Sequence, residues 1–160
     1  MNTYPITKHP EKILAKKLES VSDSFSDISE IIESMRNAMR AAKGVGLAAN
    51  QIGLDMCLFI IDKELAKKHG IPDAFINPEI TEYSQDETPM EEGCLSLPEQ
   101  WFMIQRSSKV KIQFTDEKGK RHKLRARGFL ARVLQHEYDH LQGILIKDRK
   151  AQQSSKKHSK

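Results

Sequence analysis

The sequence predicts an α+β fold in which small β-sheets pack around a central helix in the C-terminal half of the chain. Helical periodicity dominates the first 43 residues, strand-like segments follow, and a helix returns near residue 128. Helices and strands do not alternate regularly, as they would in a parallel α/β sheet. A length of 160 residues is typical of one domain with its own hydrophobic core.

The predicted elements begin with two helices. Residues 10–21 suggest a short helix, and residues 25–43 suggest a longer one. Apolar residues of the longer segment recur every three or four positions: Phe25, Ile28, Ile31, Ile32, Met35, Ala38, Met39 and Ala42. Gly44 ends this helix and opens a segment, 44–53, whose three glycines allow close backbone approaches.

Strands account for most of the middle of the chain. The pattern predicts a buried strand at 56–61, a short helix at 63–69, and further strands at 75–83, 104–114 and 121–127. Gly128 then opens the last helix, which is predicted to end at Gly143.

Hydropathy favours a cytoplasmic protein. The longest uncharged apolar run, 56–61, is far shorter than the ~20 residues that cross a bilayer, and no apolar signal segment follows the N-terminus. We therefore expect a soluble protein without a membrane partner. In a reducing cytosol, a metal or catalytic role for Cys57 or Cys94 is favoured over a disulfide.

Charge divides the chain into two parts. The net charge is +4, but residues 149–160 hold five cations and no acid, so the first 148 residues are nearly neutral. We interpret 1–148 as one folded domain and 149–160 as a basic disordered tail, since the tail has no apolar residue larger than alanine. Such tails are commonly solubilising ends; the functional alternative is a weak grip on an anionic surface such as RNA. The basic stretch 118–127 is better explained as a solvated hairpin, and sequence-specific nucleic-acid binding is not expected.

The most informative motif is His-Glu-Tyr-Asp-His at 136–140, on the last predicted helix. Histidines at i and i+4 lie on one helical face, so His136 and His140 can reach one divalent cation. Glu137 is then placed to take a proton from metal-bound water. The alternative is a solvated helix face whose histidines bind nothing.

A catalytic metal usually has three protein ligands, so the two histidines lack a third. Cys94 is the candidate, because it follows Gly93, where the chain can turn sharply and present the thiol. Cys57 lies within an apolar strand and is interpreted as a small buried hydrophobic residue.

Three separate stretches resemble one family, the peptide deformylases. Residues 44–53 are similar to its GxGLAAxQxG motif, 92–96 match EGCLS, and 135–143 match QHExDHLxG. The motifs occur in the family's order, and the resemblance extends over almost the whole chain except the last dozen residues.

This resemblance implies a metal-dependent hydrolase, with 1–148 as its catalytic domain. Cys94, His136 and His140 would bind the metal, usually Fe2+ and replaceable by Zn2+, Ni2+ or Co2+. Glu137 would act as general base and return its proton to the leaving amine. The implied substrates are N-formylmethionyl nascent peptides, which release formate.

Further residues follow from the same resemblance. The Gln51 side-chain amide and the Leu95 backbone N–H would stabilise the oxyanion. The substrate backbone is expected to pair with Gly44, Val45 and Gly46 as an added strand.

Helical spacing extends the metal-binding face toward a side-chain pocket. Phe129 and Val133 precede His136 and His140 at helical intervals, so these two residues and Val45 are candidates for binding the methionine side chain. Plain helix core is nearly as good an explanation for each residue taken singly.

Glu92 and Arg106 are expected to pair and fix the Cys94 loop, because groups behind metal ligands orient them. An ordinary surface ion pair is the alternative.

Two departures from the family pattern affect these expectations. Asn50 stands where many members have proline, which would place Gln51 less rigidly. By the same resemblance, the chain is expected to lack the basic C-terminal helix with which many bacterial members reach the ribosome. Whether the short tail substitutes for that helix in a transient ribosome contact is left open.

Two rival functions remain open. One is an HExxH zinc peptidase that cuts internal peptide bonds; the other is a degenerate deformylase that binds peptide termini without turnover.

Overall fold

The fold is α+β, as predicted from the irregular order of helical and strand-like segments along the sequence. The computed structural model describes residues 4–22 and 27–158. Its helices are α1 (Ile28–Ala41), α2 (Lys63–His69), α3 (Gly128–Leu141) and α4 (Ile146–His158), with short 3-10 turns at Lys12–Ala15 and Ala49–Ile52. Its strands are β1 (Gly46–Ala48), β2 (Leu58–Ile61), β3 (Ala74–Tyr83), β4 (Glu87–Cys94), β5 (Leu97–Ser107), β6 (Lys109–Thr115) and β7 (Arg121–Arg127).

Two antiparallel sheets pack around α3, the helix that carries the HExxH motif at 136–140. Five strands form one sheet in the order β1-β2-β3-β6-β7, and β4 pairs with β5 in a separate hairpin. Helix α3 contacts β1, β2 and β7 of the large sheet and β5 of the hairpin. The segment predicted as one strand at 104–114 is in fact divided at Ser108 between the two sheets.

Side-chain alternation along β2 explains how the large sheet is covered on both faces. Leu58 and Ile60 lie in the cluster that includes Met35 and Met39 of α1. Phe59 lies in the opposite cluster with Leu130 and Leu134 of α3, and stacks on Phe75 at 4.7 Å between ring centroids. Because successive side chains of a strand point to opposite faces, this fully apolar run fits a strand buried between two helices.

The helix predicted at 10–21 forms only one 3-10 turn, Lys12–Ala15. Beyond it the backbone bonds to neighbouring segments rather than to itself: Leu18 N–H donates to the Leu141 carbonyl, and Cys57 N–H donates to the Glu19 carbonyl. Helix α1 begins within the predicted range, while Phe25 lies outside the described residues.

The C-terminal segment differs from the expected disorder, because residues 149–158 continue helix α4. Leu145 and Ile146 anchor its start in a cluster with Leu97 and Ile104. Beyond them the contacts are polar, and Gln153 hydrogen-bonds to the backbone of Gln105 through both of its amide atoms, at 3.1 and 3.0 Å. Apolar composition alone does not reveal such polar contacts, and the C-terminal segment is helical through His158.

Within the part of the chain that the structure describes, no helix has both the length and the apolar character needed to cross a membrane.

Candidate active site

Three potential metal ligands meet where the end of β4 approaches α3. Cys94, His136 and His140 each offer a ligand atom, and these atoms all lie within 4.8 Å of one another. The Cys94 Sγ is 3.4 Å from the Nε2 of His140. Both cysteines are free, and Cys57 packs against the core on the α3 side of the sheet and is not one of the three clustered residues.

The residues present fit a divalent cation. The His136 Nδ1 hydrogen-bonds to the Glu92 Oε1 at 2.9 Å, which fixes the ring and leaves Nε2 for a metal. The Glu137 Oε2 is buried and has no hydrogen-bond partner among the described residues. One thiolate with two imidazoles suits iron, zinc and their neighbours and leaves an open coordination position.

Burial controls the protonation of the motif. It raises the pKa of Glu137 to about 7, although His136 and Arg106 oppose this. Burial also lowers the pKa of His140 well below its usual value, with the positive charge of His136 adding to the effect, so His140 is neutral and ready to bind a metal.

The pKa of His136 is shifted in the opposite direction from that of His140. Burial lowers its pKa, but hydrogen bonds to Cys94 and Glu92 outweigh burial and raise the pKa to about 10 in the metal-free site. A metal that binds Nε2 would therefore displace a proton from His136 at neutral pH.

Glu92 stands behind the ligands at the centre of a buried ion-pair network. It accepts hydrogen bonds from Arg106 at 2.7 and 3.0 Å and from Arg132 at 2.7 Å, in addition to the His136 bond. Burial opposes its ionisation, but the bonds from His136 and Arg106 prevail and hold the pKa of Glu92 well below its usual value. Glu92 and Arg106 are 6% and 5% exposed, so they are not an ordinary surface pair; their role in fixing the Cys94 loop stays a prediction.

Gln51 is held on the other side of Cys94. Its Nε2 lies 3.7 Å from the Cys94 Sγ and donates to the Ser96 Oγ at 3.1 Å, while its Oε1 accepts from the Ala48 N–H at 3.0 Å. The preceding Asn50 is fully buried and donates to the His140 carbonyl at 2.9 Å. Asn50 therefore ties this turn to α3, in contrast to the looser placement expected where proline is absent.

A cleft of about 460 Å³ opens over the cluster. Its lining includes every predicted ligand, oxyanion and pocket residue except the deeply buried His140: Gly44, Val45, Gly46, Gln51, Cys94, Leu95, Phe129, Val133, His136 and Glu137. Val45 and Phe129 are 42% and 49% exposed, which does not fit plain helix core, whereas Val133 is only 7% exposed and also joins the core.

Strand β1 lies at one edge of the large sheet and lines the cleft. A Cβ on Gly46 would lie 2.8 Å from the Glu137 Oε1, so only glycine fits beside that carboxylate.

Sequence reasoning missed several residues of the site. Arg132 and Asp139 complete the ion-pair network, and Trp101, which is 65% exposed, lines the mouth of the cleft. The position of Asp139 inside the HExxH motif could have drawn attention to it. Its ion-pair partners, however, are remote in sequence and could not be identified from the motif.

Comparison with known proteins identifies the family of the chain. A family model described as polypeptide deformylase matches residues 3–157. A peptide deformylase of Treponema pallidum is 46% identical over 136 residues, covering 82% of this chain and 81% of that protein. One from Thermodesulfovibrio yellowstonii is 41% identical over 149 residues, covering 93% and 90%.

Solved structures show the same architecture. The crystal structure of peptide deformylase from Thermotoga maritima has a TM-score of 0.85 and 37% identity, covering 93% of this chain and 98% of that one. A peptide deformylase from Synechococcus elongatus in complex with actinonin has a TM-score of 0.84 and 35% identity, covering 91% and 78%. The chain belongs to the polypeptide deformylase family.

Proposed function

We propose that Cys94, His136 and His140 bind one divalent cation, and that the chain uses it to remove the formyl group from the N-terminal formylmethionine of nascent polypeptides. Family membership makes the chain an enzyme, a hydrolase of protein biosynthesis. One observation carries the assignment of the site: three candidate ligand atoms lie within 4.8 Å of one another at the base of the cleft, next to a Glu137 whose buried Oε2 has no hydrogen-bond partner among the described residues.

The cation is proposed to be Fe2+, with Zn2+, Ni2+ or Co2+ as replacements, because a thiolate and two imidazoles suit all four metals. A divalent ion bound there would acidify a water molecule and polarise the formyl oxygen.

Glu137 moves the protons. Its pKa of about 7 lies near the working pH, which suits a group that must accept a proton from water and then deliver it to the leaving amine. The side-chain amide of Gln51, held by Ser96, and the backbone N–H of Leu95 are proposed to stabilise the oxyanion; such preorganised donors contribute a few kcal/mol each.

The substrate is proposed to bind along β1. Gly46 is the first residue of the edge strand β1, and Gly44 and Val45 lead into it; an extended peptide can add to this edge as a further strand. Exposed apolar surface on Val45 and Phe129, with the more buried Val133 behind it, would receive the methionine side chain.

The remaining proposals concern the C-terminal segment and the cellular location of the protein. We assign catalysis to residues 1–148 in the cytoplasm, and a transient contact with the ribosome to residues 149–160, whose four lysines suit an RNA surface. Deleting residues 154–160 keeps Gln153 and its bonds to β5. We expect the deletion to reduce cosedimentation with ribosomes at low salt and to leave peptide turnover unchanged; unaltered cosedimentation would leave the segment as a solubilising end.

Formate release from formyl-Met-Ala-Ser, with metal analysis of anaerobically purified protein, tests the central proposal. Glu137→Ala should retain the metal and lose nearly all turnover, because Glu137 is not a proposed ligand. A variant with near wild-type kcat would refute the proton-transfer role. Cleavage of internal bonds in unformylated peptides would favour the alternative of a zinc peptidase. Peptide binding without formate release would favour the alternative of a degenerate deformylase that has no turnover.

A further inference from the structure

We propose that Arg149 of helix α4 is a positioning residue for the metal ligand His136, and that it acts through a continuous chain of buried ion pairs. The proposal rests on the metal site described above. It assigns to the C-terminal helix a role in metal binding, separate from any contact with RNA.

The chain of ion pairs runs from the protein surface to the imidazole. Arg149 donates to both oxygens of Asp139, from Nε at 2.9 Å and from Nη2 at 2.7 Å. Asp139 accepts a further bond from the Arg106 Nη1 at 2.8 Å. Arg106 donates to both carboxylate oxygens of Glu92 from its Nε and Nη2 atoms. Glu92 in turn accepts a hydrogen bond from the His136 Nδ1 at 2.9 Å.

Arg149 differs from the other members in its exposure. The side chains of Asp139, Arg106 and Glu92 are each about 5 to 6% exposed, whereas that of Arg149 is 34% exposed. The buried part of the chain is therefore poorly solvated, and Arg149 forms its outer end.

Asp139 shows what Arg149 contributes. Among the described residues, its Oδ1 accepts only from Arg149, while its Oδ2 is shared between Arg149 and Arg106. Without Arg149, a buried carboxylate would depend on Arg106 alone, and that guanidinium would be drawn away from Glu92. A charge left partly unpaired in a buried site is strongly unfavourable, so the network would rearrange.

Helix α4 is well anchored for this role. Ile146 lies in the same cluster as Leu97 and Ile104 of β5, and Gln153 hydrogen-bonds to the Gln105 backbone one residue before Arg106. These contacts between α4 and β5 fix the position of Arg149 relative to Arg106.

The expected consequence is weaker metal binding. Loss of a group that hydrogen-bonds directly to a metal ligand costs about 10- to 100-fold in metal affinity. Arg149 acts through three intervening residues, so we expect a smaller effect, about 3- to 10-fold.

Co2+ added to the metal-free, full-length protein provides the test, because thiolate-to-cobalt charge-transfer and d–d bands report ligand geometry without reference to turnover. Arg149→Gln should raise the Kd for Co2+ by about 3- to 10-fold and alter the d–d bands. Arg149→Lys, which keeps the charge and loses the two-pronged geometry, should restore part of the affinity. Lys147→Gln is the matched control: it removes one cation from the same helix, and Lys147 pairs with Asp148 outside the network.

Thermal unfolding of each metal-free variant separates positioning from general stability. A lower Tm for Arg149→Gln with unchanged Co2+ affinity and spectrum would overturn the proposal, as would an equal loss of affinity in Lys147→Gln. If Arg149→Gln does not fold, the same comparison between Arg149→Lys and wild type decides the question. A wild-type spectrum without a thiolate band would instead overturn the ligand set, and the positioning role with it.

Discussion

Glu137 should destabilise the metal-free protein at neutral pH, and Glu137→Gln should remove that penalty. Glu137 is 4% exposed, and burial raises the pKa of its carboxyl group from 4.5 to about 7. At about 1.4 kcal/mol per pH unit, this difference corresponds to about 3 kcal/mol in the free energy of unfolding.

The sign follows from proton binding. Between pH 4.5 and about 7 the folded state holds the Glu137 proton while the unfolded state has released it. Stability from this group is therefore fully present below pH 4.5 and is lost as the pH rises through about 7. Glutamine cannot ionise, so the variant should gain about 3 kcal/mol relative to wild type between pH 4 and pH 8.

Urea unfolding of both proteins in the presence of a chelator, at half-unit steps of pH, measures this difference. Any constant effect of the amide cancels, because only the change with pH is used. Glu64→Gln, on the exposed side of α2, controls for the loss of one carboxylate. Parallel stability curves for wild type and Glu137→Gln would show that folding does not shift the pKa of Glu137 and would refute the reasoning.

Other substitutions test the ligands and the cleft. Cys94→Ser should lose metal on purification, since a hydroxyl is a harder and less acidic ligand, while Cys57→Ser keeps it; equal metal loss in both would undo the ligand assignment. Gly46→Ala should abolish formate release, because its Cβ would lie 2.8 Å from the Glu137 carboxylate; full activity would exclude that close approach. Val133→Ala should raise KM for formyl-Met peptides severalfold with little change in kcat, and an unchanged KM would place the methionine elsewhere.

Local spacing was sufficient to predict the fold class and two of the proposed metal ligands. An i, i+4 histidine pair lies on one face of any helix, so His136 and His140 could be paired without knowledge of the tertiary structure. The apolar run at 56–61 likewise predicted a buried strand, which the structure places at β2. Family resemblance supplied the proposed oxyanion and substrate residues, which spacing alone does not identify.

Only the tertiary structure decided what surrounds those ligands. Asp139, Arg132 and Arg149 join one network with Glu92, although they lie 40 to 57 positions from it along the chain. The C-terminal segment was misjudged for the same reason: its composition lacks apolar residues, but Arg149 and Gln153 find polar partners on α3 and β5. Periodicity reports which face of an element is apolar, whereas a hydrogen bond or ion pair between distant segments depends on where the fold brings them together.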